Sequence, residues 1–179
     1  DRDILSKTKL RVISRCGSGM TNVDITAAHH LGIRVFSTPY GPTTAVAELT
    51  IGALLSLLRM IPIMNQDLHN SQWKKRIGDQ LEGKAVVIIG FGRIGSQVSK
   101  LLQSFNVKIR VVDPYVNKTS IAFPVMELKD ALPEADIVTL HLSGDDTILG
   151  ESEFNLMKPG SFLLNAARGS LIDENALIK

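Results

Sequence analysis

Short, continuous apolar runs alternate with stretches of helical spacing through the second half of the chain. Continuous rather than alternating apolar runs are typical of strands in a parallel sheet that is covered on both faces. The predicted strands are residues 85–89, 107–112, 137–140 and 162–164. The predicted helices are residues 94–105, 127–132, 151–157 and 173–178. This alternation indicates an α/β fold built on a doubly wound parallel sheet.

The first forty residues repeat the alternation on a smaller scale. Residues 10–14 and 33–37 are predicted strands, and residues 23–31 form a predicted helix that ends at Gly32. A tight glycine loop, Cys16-Gly17-Ser18-Gly19, follows the first of these strands. The pattern therefore predicts a small second lobe ahead of the larger sheet.

A long apolar helix is predicted over residues 45–60, with Thr43 or Thr44 as its N-cap and Pro62 at its end or at a kink. Nearly every face is apolar, which is typical of a helix buried by a domain interface or a partner subunit. A more polar helix follows, to about residue 73. Since a monomer would expose a large apolar patch, we expect a two-fold homodimer through helix 43–60.

Composition narrows the class of protein. Of the 179 residues, 44% are hydrophobic and 21% are charged, which argues against disorder. The net charge of +2 is too small to indicate nucleic acid or an anionic membrane as a partner. No apolar run is long enough to span a bilayer, and no metal site is expected. The one cysteine, Cys16, forms no internal disulfide, so we expect a reducing, cytoplasmic location.

A glycine-rich loop carries the first chemical signal. Residues 90–95, Gly90-Phe91-Gly92-Arg93-Ile94-Gly95, fit G-x-G-x-x-G, directly after one predicted strand and at the start of a helix. In that context the three glycines permit a tight turn, close approach to a pyrophosphate and close packing of helix on sheet. Phosphates then lie at the positive end of the helix. Many unrelated loops contain three glycines, so the motif alone is weak.

Asp113 strengthens the prediction of a dinucleotide site. It ends the next strand, near the offset of about 20 residues expected for a ribose ligand. A carboxylate there accepts hydrogen bonds from the adenosine ribose and repels a 2′-phosphate, which favours NAD over NADP. Asp113 could also be an ordinary capping residue of a turn. Arg93, within the glycine loop, either pairs with phosphate or is solvated.

Arg168 follows the last predicted strand, in Asn165-Ala166-Ala167-Arg168-Gly169. Ligands of open parallel sheets bind beyond the carboxyl ends of the strands. A guanidinium there can hold a substrate carboxylate by two parallel hydrogen bonds. Ala166 and Ala167 are small and leave room for a cofactor ring. The alternative is that Arg168 caps its loop or pairs with Asp173.

Several motifs in this order resemble the D-isomer-specific 2-hydroxyacid dehydrogenases, the family of phosphoglycerate, glycerate and D-lactate dehydrogenases. The resemblance extends over about residues 10–177. It is carried by Arg15-Cys16-Gly17-Ser18-Gly19 with Asn22-Val23-Asp24, Gly32-Ile33 with Thr38-Pro39, Val46-Ala47-Glu48-Leu49-Thr50, the loop 90–95, Asp113-Pro114, and Met157-Lys158-Pro159-Gly160 running into residues 165–169.

The resemblance implies a Rossmann NAD-binding domain, a partial flavodoxin-like substrate domain, and NAD-dependent reduction of a 2-keto acid or oxidation of a D-2-hydroxy acid. It also implies residue roles, which are as follows: Ser18 and Gly19 receive the substrate carboxylate, Val46 lines the nicotinamide pocket, Arg93 and Ile94 contact pyrophosphate, Asp113 binds ribose, His141, Leu142 and Thr147 lie on the adenosine side, and Arg168 is the catalytic arginine. The family usually has a proline just after the position of His141 or Leu142, and Ser143 stands there instead.

Hydride transfer also requires a proton acceptor, for which the family uses a carboxylate–histidine pair beyond the arginine motif. None of the four histidines, His29, His30, His69 and His141, matches that position. We therefore expect a fragment without the acid/base pair; the alternative is a complete but degenerate protein that has lost catalysis. The fragment would hold part of the substrate domain over residues 1–39 and the NAD-binding domain over residues 40–179, including linking helices at about 43–72.

Two alternatives belong to other classes. One is a non-catalytic NAD(H)-binding module similar to the transcriptional corepressors that share this fold. The other is an S-adenosyl-methionine-binding domain, which would leave Arg168 and Thr38-Pro39 unexplained.

Overall fold

Two compact units, Asp1–Thr44 and Ala45–Lys179, make up the chain in the computed structural model, which describes residues 1–179. The elements of the first unit are α1 (Arg2–Ser6), β1 (Val12–Arg15), α2 (Ile25–His30) and β2 (Arg34–Ser37). Strands β1 and β2 pair in parallel. Its buried core is small and consists of Leu5, Ala27, Ala28 and Ile33.

Hydrogen bonds at both ends of α2 explain its limits. The Asp24 carboxylate accepts from the Ala27 N–H at 2.9 Å, which satisfies a donor of the first turn. At the other end Gly32 takes φ +70°, and Ile33 N–H donates to the Ala28 carbonyl at 2.8 Å. This is the Schellman ending for which glycine is favoured, so the predicted role of Gly32 is confirmed.

The apolar helix α3 (Thr43–Leu58) begins two residues earlier than predicted. Thr43 and Thr44 are therefore its first helical residues, and their assignment as N-caps was wrong. Met60 takes φ 55° and interrupts the helical conformation. The next helix, α4 (Ile61–His69), has Pro62 in its first turn. Proline is tolerated there because the first N–H groups of a helix have no helical partner.

Neither α3 nor α4 is alone long and apolar enough to cross a bilayer. Together the two helices have the length and the apolar composition of a membrane span, but they are bent by 64° relative to each other.

The second unit continues with β3 (Ala85–Ile89), α5 (Arg93–Gln103), β4 (Lys108–Val112), α6 (Leu128–Ala131), β5 (Ile137–Leu140), α7 (Glu151–Phe154), β6 (Phe162–Asn165) and α8 (Glu174–Ile178). All four strands are parallel, in the order β4-β3-β5-β6. The predicted doubly wound α/β sheet is thus confirmed. Short 3₁₀ turns lie at Leu132–Glu134 and Gly169–Leu171.

Alternate residues of β3 feed two separate cores. Val86 and Ile88 pack with residues of α3 and α5 on one face of the sheet. Val87 and Ile89 pack with residues of α6 and of the segments around Leu149 and Leu171 on the other. All five residues of β3 are buried, which accounts for the unbroken apolar run in the sequence.

The strand register brings the functional loops to one edge. Ile89 of β3 lies opposite both Val112 and Leu140, and Leu140 lies opposite Asn165. The chain crosses from β3 to β4 on one side and then returns to place β5 on the other side of β3. Ligands of such sheets bind at this reversal, beyond the carboxyl ends of the strands.

Candidate functional site

The turn after β3 is closely packed against the backbone that directly follows β5. Gly90 takes φ +90°, and a Cβ atom there would lie 2.9 Å from backbone atoms of His141 and Leu142. A Cβ on Gly95 would overlap the Gly90 carbonyl oxygen and lie 3.3 Å from Ile88. Any side chain at Gly90 or Gly95 would therefore push α5 or β5 away from the end of β3.

Gly92 is different, because a Cβ there would meet nothing within 4 Å. It is the N-cap of α5, and no side chain caps that helix. The first N–H groups of a helix lack helical partners and carry the positive end of its dipole. The loop therefore combines open space with backbone donors, and it fits the pyrophosphate of a dinucleotide. Arg93 and Ile94 form the first turn behind it.

Asp113 holds two backbone segments with one carboxylate. Its Oδ2 accepts from the Phe91 N–H at 2.8 Å, and its Oδ1 accepts from the Tyr115 N–H at 2.9 Å. A carboxylate has about four lone-pair positions, so each oxygen can accept one further hydrogen bond. The residue predicted to bind ribose hydroxyls is thereby also a tether of the glycine loop.

His141, at the end of β5, is only 8% exposed. Its Nε2 lies 2.9 Å from the Thr139 hydroxyl, and its Nδ1 is buried without a hydrogen-bond partner. Burial lowers the pKa of His141 to about 4, so the imidazole is neutral at pH 7. The backbone of His141 and Leu142 lies beside Gly90, so both residues adjoin the glycine turn.

The loop after β6 is organised by a residue that was not predicted to act. Asn165 donates from Nδ2 to the Arg168 carbonyl at 2.7 Å and accepts from the Ala167 N–H at 2.9 Å. The guanidinium of Arg168 is half-buried and donates from Nη1 to the Ala167 carbonyl at 3.0 Å. Asn165 thus closes the turn that runs through Ala166 and Ala167 to Arg168. Its position at the end of a strand, three residues before an arginine, was the available signal.

The remaining predicted residues lie in several places. Thr147 donates to the Ser170 carbonyl at 3.1 Å, so it contacts the turn that directly follows Arg168. Val46 is half-buried in the first turns of α3. Ser18 and Gly19 belong to the Asp1–Thr44 unit. No three His, Cys, Asp or Glu side chains come together in an arrangement that could hold a metal ion.

The contrast between Gly92 and Gly95 predicts a separation of binding from folding. Gly92→Ala should leave the melting temperature nearly unchanged but fill the space facing the phosphates, and so raise the Kd for NADH at least about tenfold, or ~1.4 kcal/mol. Gly95→Ala should destabilise the fold by about 1–3 kcal/mol through overpacking. Calorimetric titration and thermal unfolding of both variants measure the two effects. Equal affinity of Gly92→Ala and the unmodified chain would contradict this assignment.

Comparison with known proteins also indicates a dinucleotide-binding domain. Residues 51–179 match the sequence model of the D-isomer specific 2-hydroxyacid dehydrogenase, NAD binding domain. The chain is 39% identical to D-3-phosphoglycerate dehydrogenase of Sus scrofa over 179 residues, which cover 96% of this chain and 34% of that protein. It is 35% identical to hydroxypyruvate reductase of Thermotoga maritima, covering 98% and 59% of the two chains.

A solved structure gives the corresponding likeness in three dimensions. The apo-structure of D-lactate dehydrogenase from Escherichia coli superimposes with a TM-score of 0.87 at 32% identity, covering 99% of this chain and 58% of that one. The chain spans about a third of the length of the phosphoglycerate dehydrogenase it matches. The sheet, the glycine loop and these matches agree: the chain belongs to the D-isomer-specific 2-hydroxyacid dehydrogenase family and contains its NAD-binding domain.

Proposed function

We propose that this chain is the nicotinamide-binding part of an NAD-dependent oxidoreductase that acts on the CH–OH group of a D-2-hydroxy acid. The observation that carries the proposal is the placement of Arg168 at the carboxyl edge of the sheet that bears the glycine loop. Register pairs connect β6 to β5 and β5 to β3 at that edge. The two parts of the predicted chemistry, cofactor binding and carboxylate binding, thus share one edge.

Each predicted group has a distinct task. The loop and the first turn of α5 hold the pyrophosphate, and Asp113 orients the adenosine ribose. Arg168 holds the substrate carboxylate and polarises the 2-keto group. Bound NADH supplies the hydride. Ala166 and Ala167 leave room beside the arginine, and Val46 lines the nicotinamide pocket.

The proton acceptor is a separate requirement that the sheet edge does not meet. A guanidinium cannot act as a proton acceptor, so Arg168 is not the base. His141 is buried, and its pKa of about 4 makes it a weak base, whereas the best general bases have a pKa near the working pH. His29 and His30 are exposed on α2, and His69 contacts the Asn65 carbonyl on α4. We infer that none of these histidines is the catalytic base.

We also infer that residues 1–39 are part of a substrate domain, in which Ser18 and Gly19 offer backbone N–H groups to the carboxylate. Support comes from the shape of that loop: Gly17 N–H donates to the Thr38 hydroxyl at 2.8 Å, and Thr38 N–H donates to the Gly17 carbonyl at 3.1 Å. The relatives named above are enzymes, and no feature of the site favours a non-catalytic corepressor-like module.

Substrate binding should therefore be separable from turnover. We expect the 179-residue chain, saturated with NADH, to bind hydroxypyruvate, glyoxylate or pyruvate through Arg168 but not to consume NADH at a measurable rate. Losing general acid/base catalysis alone costs about 10²–10⁴-fold in rate. Arg168→Gln should abolish the keto-acid binding and leave NADH affinity unchanged. Arg59→Gln, a control directly after α3, should leave both affinities unchanged.

Calorimetry measures keto-acid binding and NADH absorbance measures turnover. Unchanged keto-acid binding in Arg168→Gln would exclude the proposed role of the arginine. Robust turnover would show that a residue of this chain is the base, and His141 would be the first to replace.

Asp113 should make the site selective for NAD. We expect NADH to bind at least about tenfold more tightly than NADPH, because hydrogen bonds to charged groups contribute about 1.5–3 kcal/mol and the carboxylate repels a 2′-phosphate. Asp113→Ser should lose most of that preference, whereas Asp130→Ser, a control on α6, should keep it. Calorimetric titration of both cofactors measures the ratio. Equal affinities of the unmodified chain for NADH and NADPH would rule the idea out.

We further propose a homodimer through helix 43–60. Only the stripe containing Ala47, Thr50, Leu54 and Leu58 of α3 is buried within the chain. On other faces Leu49 is 67% exposed and Leu57 44%. Further large apolar side chains are exposed in the segment after α3: Ile61, Ile63, Leu68, Trp73 and Ile77. A two-fold axis would cover this surface with its own copy.

Sedimentation at micromolar concentration should show a dimer, and the double variant Leu49→Glu with Leu57→Glu should shift it to monomer. Ile178→Glu, at an exposed apolar position on α8, should leave the dimer intact. A monomeric unmodified chain would contradict the proposal.

A further inference from the structure

The turn that faces the pyrophosphate contains a single side chain. Phe91 lies between Gly90 and Gly92, and glycine has more backbone freedom than any other residue. A loop that samples many conformations must lose them when it binds a ligand, which weakens binding. The backbone of Gly90 is packed against His141 and Leu142, and Phe91 is the residue of this turn whose side chain can add a further anchor.

Phe91 is held both by its backbone and by its ring. Its N–H donates to Asp113 Oδ2 at 2.8 Å. Its ring meets the ring of Phe123 edge-to-face, with the centroids 6.0 Å apart and the planes at 71°. This geometry is among those that aromatic pairs prefer. The two contacts come from opposite ends of one segment, which leaves β4 at Asp113 and passes through Phe123.

That segment is itself fixed at both ends. At its start, Tyr115 N–H donates to Asp113 Oδ1 at 2.9 Å. At its end, Val111 N–H donates to the Pro124 carbonyl at 2.9 Å, and Met126 N–H donates to the Val111 carbonyl at 2.8 Å. Phe123 is also packed against the core shared by β3, β4 and α5. Its ring therefore has little freedom to move away from Phe91.

We propose that Phe123 is a positioning residue for dinucleotide binding. Its ring holds the side chain of Phe91 while Asp113 holds the backbone of the same residue. Together they set the conformation of the turn before the cofactor binds. Phe123 lies outside the glycine motif and does not need to touch the cofactor. The affinity of the domain for NAD thereby depends on a residue in the segment after β4.

Three variants test the proposal in the full chain. Phe123→Ala should raise the Kd for NADH about three- to tenfold, since an aromatic pair contributes about 0.5–1.5 kcal/mol beyond its buried area. It should also speed amide hydrogen exchange at Phe91, measured by NMR without cofactor. Phe123→Tyr keeps the ring and should restore both. Phe105→Ala removes a partly buried ring from the same core cluster at the far end of α5, and should change neither.

A double-mutant cycle separates positioning from general destabilisation. Because Phe123 and Asp113 act on the same turn, the loss of NADH affinity caused by Phe123→Ala should be smaller when Asp113→Asn is already present. Additive losses, or an equal loss in Phe105→Ala, would overturn the proposal. So would an unchanged Kd in Phe123→Ala. If Phe123→Ala does not fold, Phe123→Leu keeps most of the volume without the ring, and the same outcomes apply to it.

Discussion

The site depends on direct packing of backbone against backbone where β3 ends. Gly90 lies against the backbone of His141 and Leu142, and Gly95 lies over the carbonyl of Gly90. No side chain fits at either contact, so both positions require glycine because it lacks a Cβ atom. These contacts bring the N-terminus of α5 close to the sheet edge, where its N–H groups can face a ligand instead of the core.

Charge is distributed in a complementary way around this packing. The start of α5 presents backbone donors to a region that would hold phosphates, while the neighbouring strand end presents the Asp113 carboxylate to a region that would hold hydroxyls. Asp113 uses part of its hydrogen-bonding capacity within the protein, on the N–H groups of Phe91 and Tyr115. The carboxylate is thus oriented by the backbone that it fixes, and a substitution at Asp113 removes the two contacts that hold the loop.

The sequence predicted those features that have a strong local signal. The strands Ala85–Ile89 and Ile137–Leu140 were predicted to the residue, because their fully buried apolar runs have sharp limits. Helix α1 was not predicted, since its five residues show little periodicity and depend on the Asp1 cap. Phe123 and Asn165 were not predicted to support the site either. The role of Phe123 arises from a contact with Phe91, which propensity and spacing cannot show for an irregular segment. For Asn165 the only signal was its place at a strand end, three residues before Arg168.

Two neighbouring strand ends are followed by nitrogenous side chains of different chemistry, His141 and Arg168. The imidazole of His141, at the end of β5, is buried with an unpartnered Nδ1, and its pKa falls to about 4. It is therefore a neutral group beside the glycine turn, suited to packing and to a single hydrogen bond with Thr139. The guanidinium of Arg168, after β6, belongs to a turn that Asn165 closes. A group that takes up a proton near neutral pH needs a more polar setting than the one around His141.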